Sequence, residues 1–436
     1  MKHATPTIGW LLALLLGLVR CDGAFAAVGL SFAVAEIQGE GWRIEGAQIS
    51  SVSAARGDLD LSIAVAQVEL PDARGTVERL ELDCVATWSD SDGWRCDKGQ
   101  WRTESSPWGP QTFAWSGYWR PDGSLRIDLD GVRVADGVVS VSLSNASDGW
   151  SMTASAHRLA IADLANLMAV EMLPADWGLL GRLNGHVELS GRTGPARLRT
   201  EWVVDQLGFA SQDGTQAAEE VVLRVDANAA LTAEGWRFDS VLRWPVGGVY
   251  SEPFFVDATA TPLTLSLDGV WLPDKALLNI DSGLLSLAGA FDISGTGSFD
   301  TVNGTVQALT LAAHAGDAGQ LYDLILQPAL IGTAADDMAL SGAIGVVLHV
   351  DESGPQQAGL TLNGLTLSDR KARFSLSRTD GSVAWQREDQ GNLSSITTQG
   401  ASLLGIQSGP FTAEAVFAAD RIVLSQPIVI PILGGQ

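Results

Sequence analysis

Between Asp336 and Trp385 large apolar residues alternate with small polar ones. Leu360 and Leu362 alternate with Thr361 and Asn363, Phe374 and Leu376 with Arg373, Ser375 and Ser377, and Val383 and Trp385 with Ser382, Ala384 and Gln386. A period of two places one kind of side chain on each face of a strand, a pattern no helix satisfies. At Asn363-Gly364 the alternation slips by one residue. Leu365 and Leu367 return to the apolar face only if a turn or bulge absorbs that slip. The repeating unit is a short half-apolar strand, a tight turn and another strand.

Turn dipeptides punctuate the chain: Asp92-Gly93, Asp122-Gly123, Asp136-Gly137, Asp148-Gly149, Asn184-Gly185, Asp213-Gly214, Asp268-Gly269, Asn303-Gly304, Asn363-Gly364 and Asp380-Gly381. Such pairs tolerate the positive φ of tight hairpins and predict an antiparallel meander. Gly41-Trp42, Gly93-Trp94, Gly149-Trp150 and Gly235-Trp236 each follow an acidic residue and open a strand. Their unequal spacing excludes a strict solenoid period. Tryptophan beside a turn serves as a cross-strand packing residue or as an exposed platform for a glycan; the first is favoured.

The N-terminus has Lys2, an apolar run from Ile8 to Val19 and the small-residue pattern Ala24-Phe25-Ala26. That run is shorter than the about 20 residues a membrane span needs. It predicts an export signal over residues 1–26 and a periplasmic mature chain, with inner-membrane anchoring if the signal stays uncut. Lipidation at Cys21 is disfavoured by Arg20 just before it. Cleavage leaves Cys84 and Cys96, most simply paired as a disulfide across the turn between Trp88 and Trp94. It also leaves a net charge of −25, since Lys2, Arg20 and Asp22 leave a chain of net −24. Such acidity argues against nucleic acid and against electrostatic docking on anionic membranes.

Two segments carry helical spacing. Ile161, Leu164, Leu167, Met168 and Met172 form a stripe ended by Pro174; Leu321, Leu324 and Ile325 form another, with Asp317 as N-cap and Pro328 as stop. The expected organisation is an N-terminal β region with the disulfide hairpin (27–160), a helix-led middle region (161–316), and a helix-led C-terminal region (317–436) continuous with it. The five histidines are scattered, and Asp128-Leu129-Asp130-Gly131 lacks the distal Glu of a calcium loop. No nucleophile elbow, phosphate-cradling loop or metal motif occurs, so neither an enzyme nor a cofactor is expected.

A long antiparallel sheet with one apolar face must cover that face. It closes against a second sheet or curls into an open trough. Many inward positions are Ala, Val or Gly, which fill a conventional core poorly. About 30 strands at roughly 4.8 Å each would stack to a body on the order of 140 Å long. The expected fold is mostly β: an elongated, curled antiparallel sheet with an open, taco-like groove and two short helices.

The segments Leu340-Ser-Gly-Ala-Ile-Gly-Val-Val-Leu348, Leu360-Thr-Leu-Asn-Gly-Leu-Thr-Leu-Ser-Asp369 and Phe374-Ser-Leu-Ser-Arg-Thr-Asp-Gly-Ser-Val-Ala-Trp385 resemble the AsmA-like proteins of Gram-negative envelopes. The likeness is to their YdbH-like intermembrane phospholipid transport branch. Gly400–Pro410, the closing run Arg421–Gly435 and the hairpin holding Cys84 and Cys96 are similar to it as well. This resemblance implies a groove that conducts phospholipid acyl chains between inner and outer membranes, with head groups left in water. Relatives carry an anchor and run longer. A truncated frame, a split gene or a bridge in two parts, partnered by membrane proteins or a second half, would reconcile the difference.

The groove candidates are Leu360, Leu362, Leu365, Leu367, Phe374, Leu376, Val383 and Trp385. The reading from another class is a secreted structural or adhesive β-sandwich protein that binds glycans or protein partners.

Overall fold

In the computed structural model, the described residues are 29–39, 42–53, 58–69, 75–89, 93–106, 109–167, 177–192, 196–387, 392–417 and 421–432. The segment expected to be an export signal, residues 90–92 of the expected turn between Trp88 and Trp94, and residues 168–176 lie outside them. About three-quarters of the chain is strand (about 75%), in an antiparallel sheet that does not close on itself, joined by two helical segments. This is the curled β-sheet class that the alternation predicts.

The chain divides into two compact units, Met1–Pro121 and Asp122–Gln436. In the first, six strands from Gly29–Gly39 to Gln111–Trp119 pair each with the next. In the second, pairing again follows chain order from Leu125–Val134 onward, with two side excursions. Phe254–Asp257 folds back on the end of Trp236–Ser251, which then pairs with Leu263–Leu272. Ile406–Ser408 does the same to Leu393–Leu403, which continues to Phe411–Phe417.

Bulges curl the second unit. Gly131, Arg158, Gly181, Gln206, Glu220, Gly247, Gly342, Gly364 and Arg378 all have positive φ, and the strand register shifts beside them. Each extra residue bends its strand and deepens its twist. The slip at Asn363-Gly364 is such a bulge, with Gly364 at φ +61. Four of the expected turns are corrected here: Asn184-Gly185, Asp268-Gly269, Asn363-Gly364 and Asp380-Gly381 lie inside strands. Glycine serves a bulge or a close strand approach as readily as a turn.

The glycines that open strands before tryptophan have a shared cause. Gly149 has φ +145, and a Cβ there would lie 2.4 Å from the Gly191 carbonyl oxygen; Gly235 has φ +150 and would meet the Trp271 oxygen at 2.5 Å. Gly235→Ala is therefore expected to cost about 2 kcal/mol, from strained backbone and a clash with main chain that cannot rotate away. Thermal denaturation would show it; an unchanged midpoint would refute the clash. The tryptophans pack. Trp94 lies on the buried cluster of Leu59, Cys84, Ala86 and Cys96, and the ring of Trp150 covers Gly191.

The first helix is Ile161–Leu167. The second runs over 318–330, capped by Asp317, whose side chain accepts from the Gly319 N–H. Pro328 does not stop it, contrary to expectation. A π-type turn at Tyr322–Leu326, closed by the Gln327 N–H on the Tyr322 carbonyl, carries the helix past the proline. The wider turn relieves the clash that a proline ring makes with the preceding turn.

Candidate functional site

Register turns the alternation of single strands into continuous rows across the second unit. One row takes a residue from each of fourteen strands: Val132, Val139, Ala156, Gly185, Trp202, Val225, Leu242, Leu265, Leu285, Ile293, Ala313, Val346, Leu360 and Val383. Its members are aliphatic residues, Gly185 and the largely apolar Trp202. Where the row narrows to Gly185, the Trp202 ring lies over it; a Cβ there would sit 2.0 Å from that ring.

The other face is its chemical opposite. Arg224, Arg243, Thr264, Ser286, Asp292, His314, Gly345, Thr361, Ser382 and Ser395 form the adjoining row there. A second polar row runs Asp128, Ser142, Thr153, Glu188, Arg199, Asn228, Asp239, Asp268 and Ser282. Its groups find partners within the row or beside it: Asn228 donates to Asp239 at 2.8 Å, Ser282 donates to Asp268 at 2.9 Å, and Arg199 pairs with Glu201, two residues on, at 2.8 Å. His186 and His349 sit on this side, hydrogen-bonded to Ser155 and Thr310.

All eight groove candidates occupy the apolar face. Leu360 and Val383 belong to the row, Leu362 stands opposite Ile344, and Trp385 opposite Ala358. Past the bulge, Leu367 sits between Leu340 and Leu376, and Phe374 faces Leu403. Only Leu365 is buried; the other seven are half-buried. Trp202, Leu242, Leu265, Leu285 and Ile293 share the half-buried state. An apolar face pressed against a second layer would be shut off from water. This one is not, and it offers dispersion and hydrophobic contact along a row whose one hydrogen-bonding side-chain group is the Trp202 indole N–H. The additional members are not visible in the sequence, because each strand alone shows only alternation; their alignment exists only through register.

One rim of this face is closed by the helix 318–330. Tyr322 is fully buried, its hydroxyl donating to the Ala335 carbonyl at 2.7 Å and accepting from the Met338 N–H at 3.1 Å. Leu287, Ala315, Ala318 and Met338 are buried at the same rim. The segment after the helix is tied down by charge. Arg373 holds the Asp369 carboxylate through Nε at 2.7 Å and Nη2 at 2.9 Å, and reaches the Ala334 carbonyl at 2.9 Å. The Arg373 guanidinium, then its backbone N–H, hold the Asp369 carboxyl well below the usual carboxylate range against the opposing effect of desolvation. A depressed carboxyl pKa contributes stability that is present above the unfolded value near 4 and lost as pH falls through the folded one. Acidification below pH ~4 should therefore loosen this rim, and Asp369→Asn should lower the melting point at neutral pH while flattening its acid dependence. Parallel acid limbs for the two proteins would count against the assignment.

Comparison with family models, curated proteins and solved structures finds no match for this chain. Among the described residues no helix is long and apolar enough to cross a membrane.

Proposed function

We propose that the second unit's apolar face binds phospholipid acyl chains and lets them move along it, head groups outward, as a periplasmic lipid-transfer protein does between two membranes. The observation that carries this is the fourteen-strand row of aliphatic, glycine and tryptophan residues, half-buried at most members and exposed at Val346. Each methylene moved from water onto such a surface gains about 0.8 kcal/mol, so an acyl chain is held firmly while no single contact fixes its position. Membership of the AsmA-like, YdbH-like proteins belongs to the same proposal, supported by the strand patterns and the open two-faced sheet. The Cys84–Cys96 disulfide supports an oxidising compartment such as the periplasm. The test is organic extraction of purified protein followed by mass spectrometry. Phospholipid in near-stoichiometric amount is expected; protein that is lipid-free, and stays so after incubation with vesicles, refutes the reading.

A further inference from the structure

The two margins of the apolar face are unlike. Along the margin away from the helix 318–330, register lines up Leu231, Trp236, Trp271, Leu278, Phe299 and Val306, one from each of six strands. Each is the first, second, penultimate or last residue of its strand, so the row stands where sheet gives way to turns and water. Trp236 and Trp271 lie directly opposite one another, and an even number of residues separates each from Leu242 and Leu265 of the fourteen-strand row. That spacing puts both indoles on the apolar face. The close approach of Gly235 to the Trp271 carbonyl oxygen fixes the two strands at this point. Leu231 and Trp271 are exposed, and the other four are half-buried.

The opposite margin also carries aromatic rings, in the row Trp244, Leu263, Leu287 and Phe291. There Leu287 is buried, and the Trp244 indole N–H is already taken, donating to the Val246 carbonyl at 3.0 Å. The indole N–H groups of Trp236 and Trp271 have no acceptor among the described residues and remain open to solvent. An indole is an apolar ring with a single donor, suited to a boundary that is apolar on one side and wet on the other. In a phospholipid the group at that boundary is the ester that joins each acyl chain to glycerol, and its carbonyl only accepts. We infer that head groups leave the acyl-chain path at this margin, with Trp236 and Trp271 donating to the ester carbonyls of the glycerol backbone. The inference rests on the acyl-chain reading above and adds to it the orientation of the lipid and a preference for ester-linked chains.

The test incubates lipid-stripped protein with vesicles of equal parts diacyl and dialkyl-ether phosphatidylcholine of the same chain length. The ether lipid has the same head group and chains but no carbonyl. What the re-isolated protein carries is then extracted and quantified. The wild type should be enriched in the diacyl lipid by roughly two- to tenfold, the worth of one neutral hydrogen bond. Trp236→Phe/Trp271→Phe keeps an aromatic ring at each position and removes both N–H groups; it should return to the vesicle ratio with total uptake retained. Trp244→Phe, on the closed margin, should keep the wild-type enrichment. Wild-type uptake at the vesicle ratio, unchanged enrichment in the double variant, or its loss in Trp244→Phe overturns the orientation and leaves acyl-chain binding standing. Failure of the wild type to take up either lipid defeats the acyl-chain reading and this inference with it.

Discussion

Leu265→Asp is expected to yield a folded protein that no longer carries phospholipid. Leu265 lies near the middle of the apolar row, between Leu242 and Leu285, and is half-buried. In the free protein the new carboxylate keeps part of its water, so folding loses only the burial of one leucine, about 1.5–3 kcal/mol. An acyl chain crossing that point would have to strip the remaining water from the charge. Unpaired desolvation of a carboxylate costs more than several methylenes return, so the chain is excluded from the middle of its path.

The adjacent position supplies the control. Thr264 lies on the polar row between Arg243 and Ser286. Thr264→Asp adds the same charge one residue away, on the solvated face beside a guanidinium, and should leave bound lipid unchanged. Extracted phospholipid per protein, with circular dichroism on each variant, measures both. Equal lipid on Leu265→Asp and wild type, or equal loss from Thr264→Asp, would show that the face does not matter and would remove the basis for an acyl-chain path.

Much of this surface is legible in the sequence. Alternation at Leu360, Leu362, Phe374, Leu376, Val383 and Trp385 assigns each to one face because a strand's side-chain period is two, and the slip at Asn363-Gly364 locates a bulge because one extra residue flips the face. The row itself was not legible. It depends on how fourteen strands align, and that alignment is set partly by bulges at Arg158, Gln206, Glu220 and Arg378. Long polar residues are not the types that announce positive φ, as Gly and Asn are. Pro328 hides the length of the second helix for a related reason: proline predicts a helix end, and the π-type turn that accommodates it has no sequence signature.

Reducing the Cys84–Cys96 disulfide should destabilise the first unit by about 3 kcal/mol, from the conformational freedom that a 12-residue separation restores to the unfolded chain. The effect is large for a unit with so little else to hold it. Its buried apolar residues are mostly small, Ala47, Leu59, Val65, Val77 and Ala86 among them, and the disulfide sits within the cluster formed with Leu59 and Ala86. A single-layer sheet buries apolar surface poorly, and a cross-link between Thr76–Ser89 and Gly93–Ser105 supplies what a second layer would otherwise give. The second unit has no cysteine, so reductant acts on one unit alone. Hydrogen exchange read by mass spectrometry should accelerate across residues 76–105 on reduction, and in Cys84→Ala/Cys96→Ala, while residues 263–293 exchange as before. Unchanged protection in 76–105 would mean that the tryptophans around the bridge, Trp94 and Trp115, hold the hairpin without it.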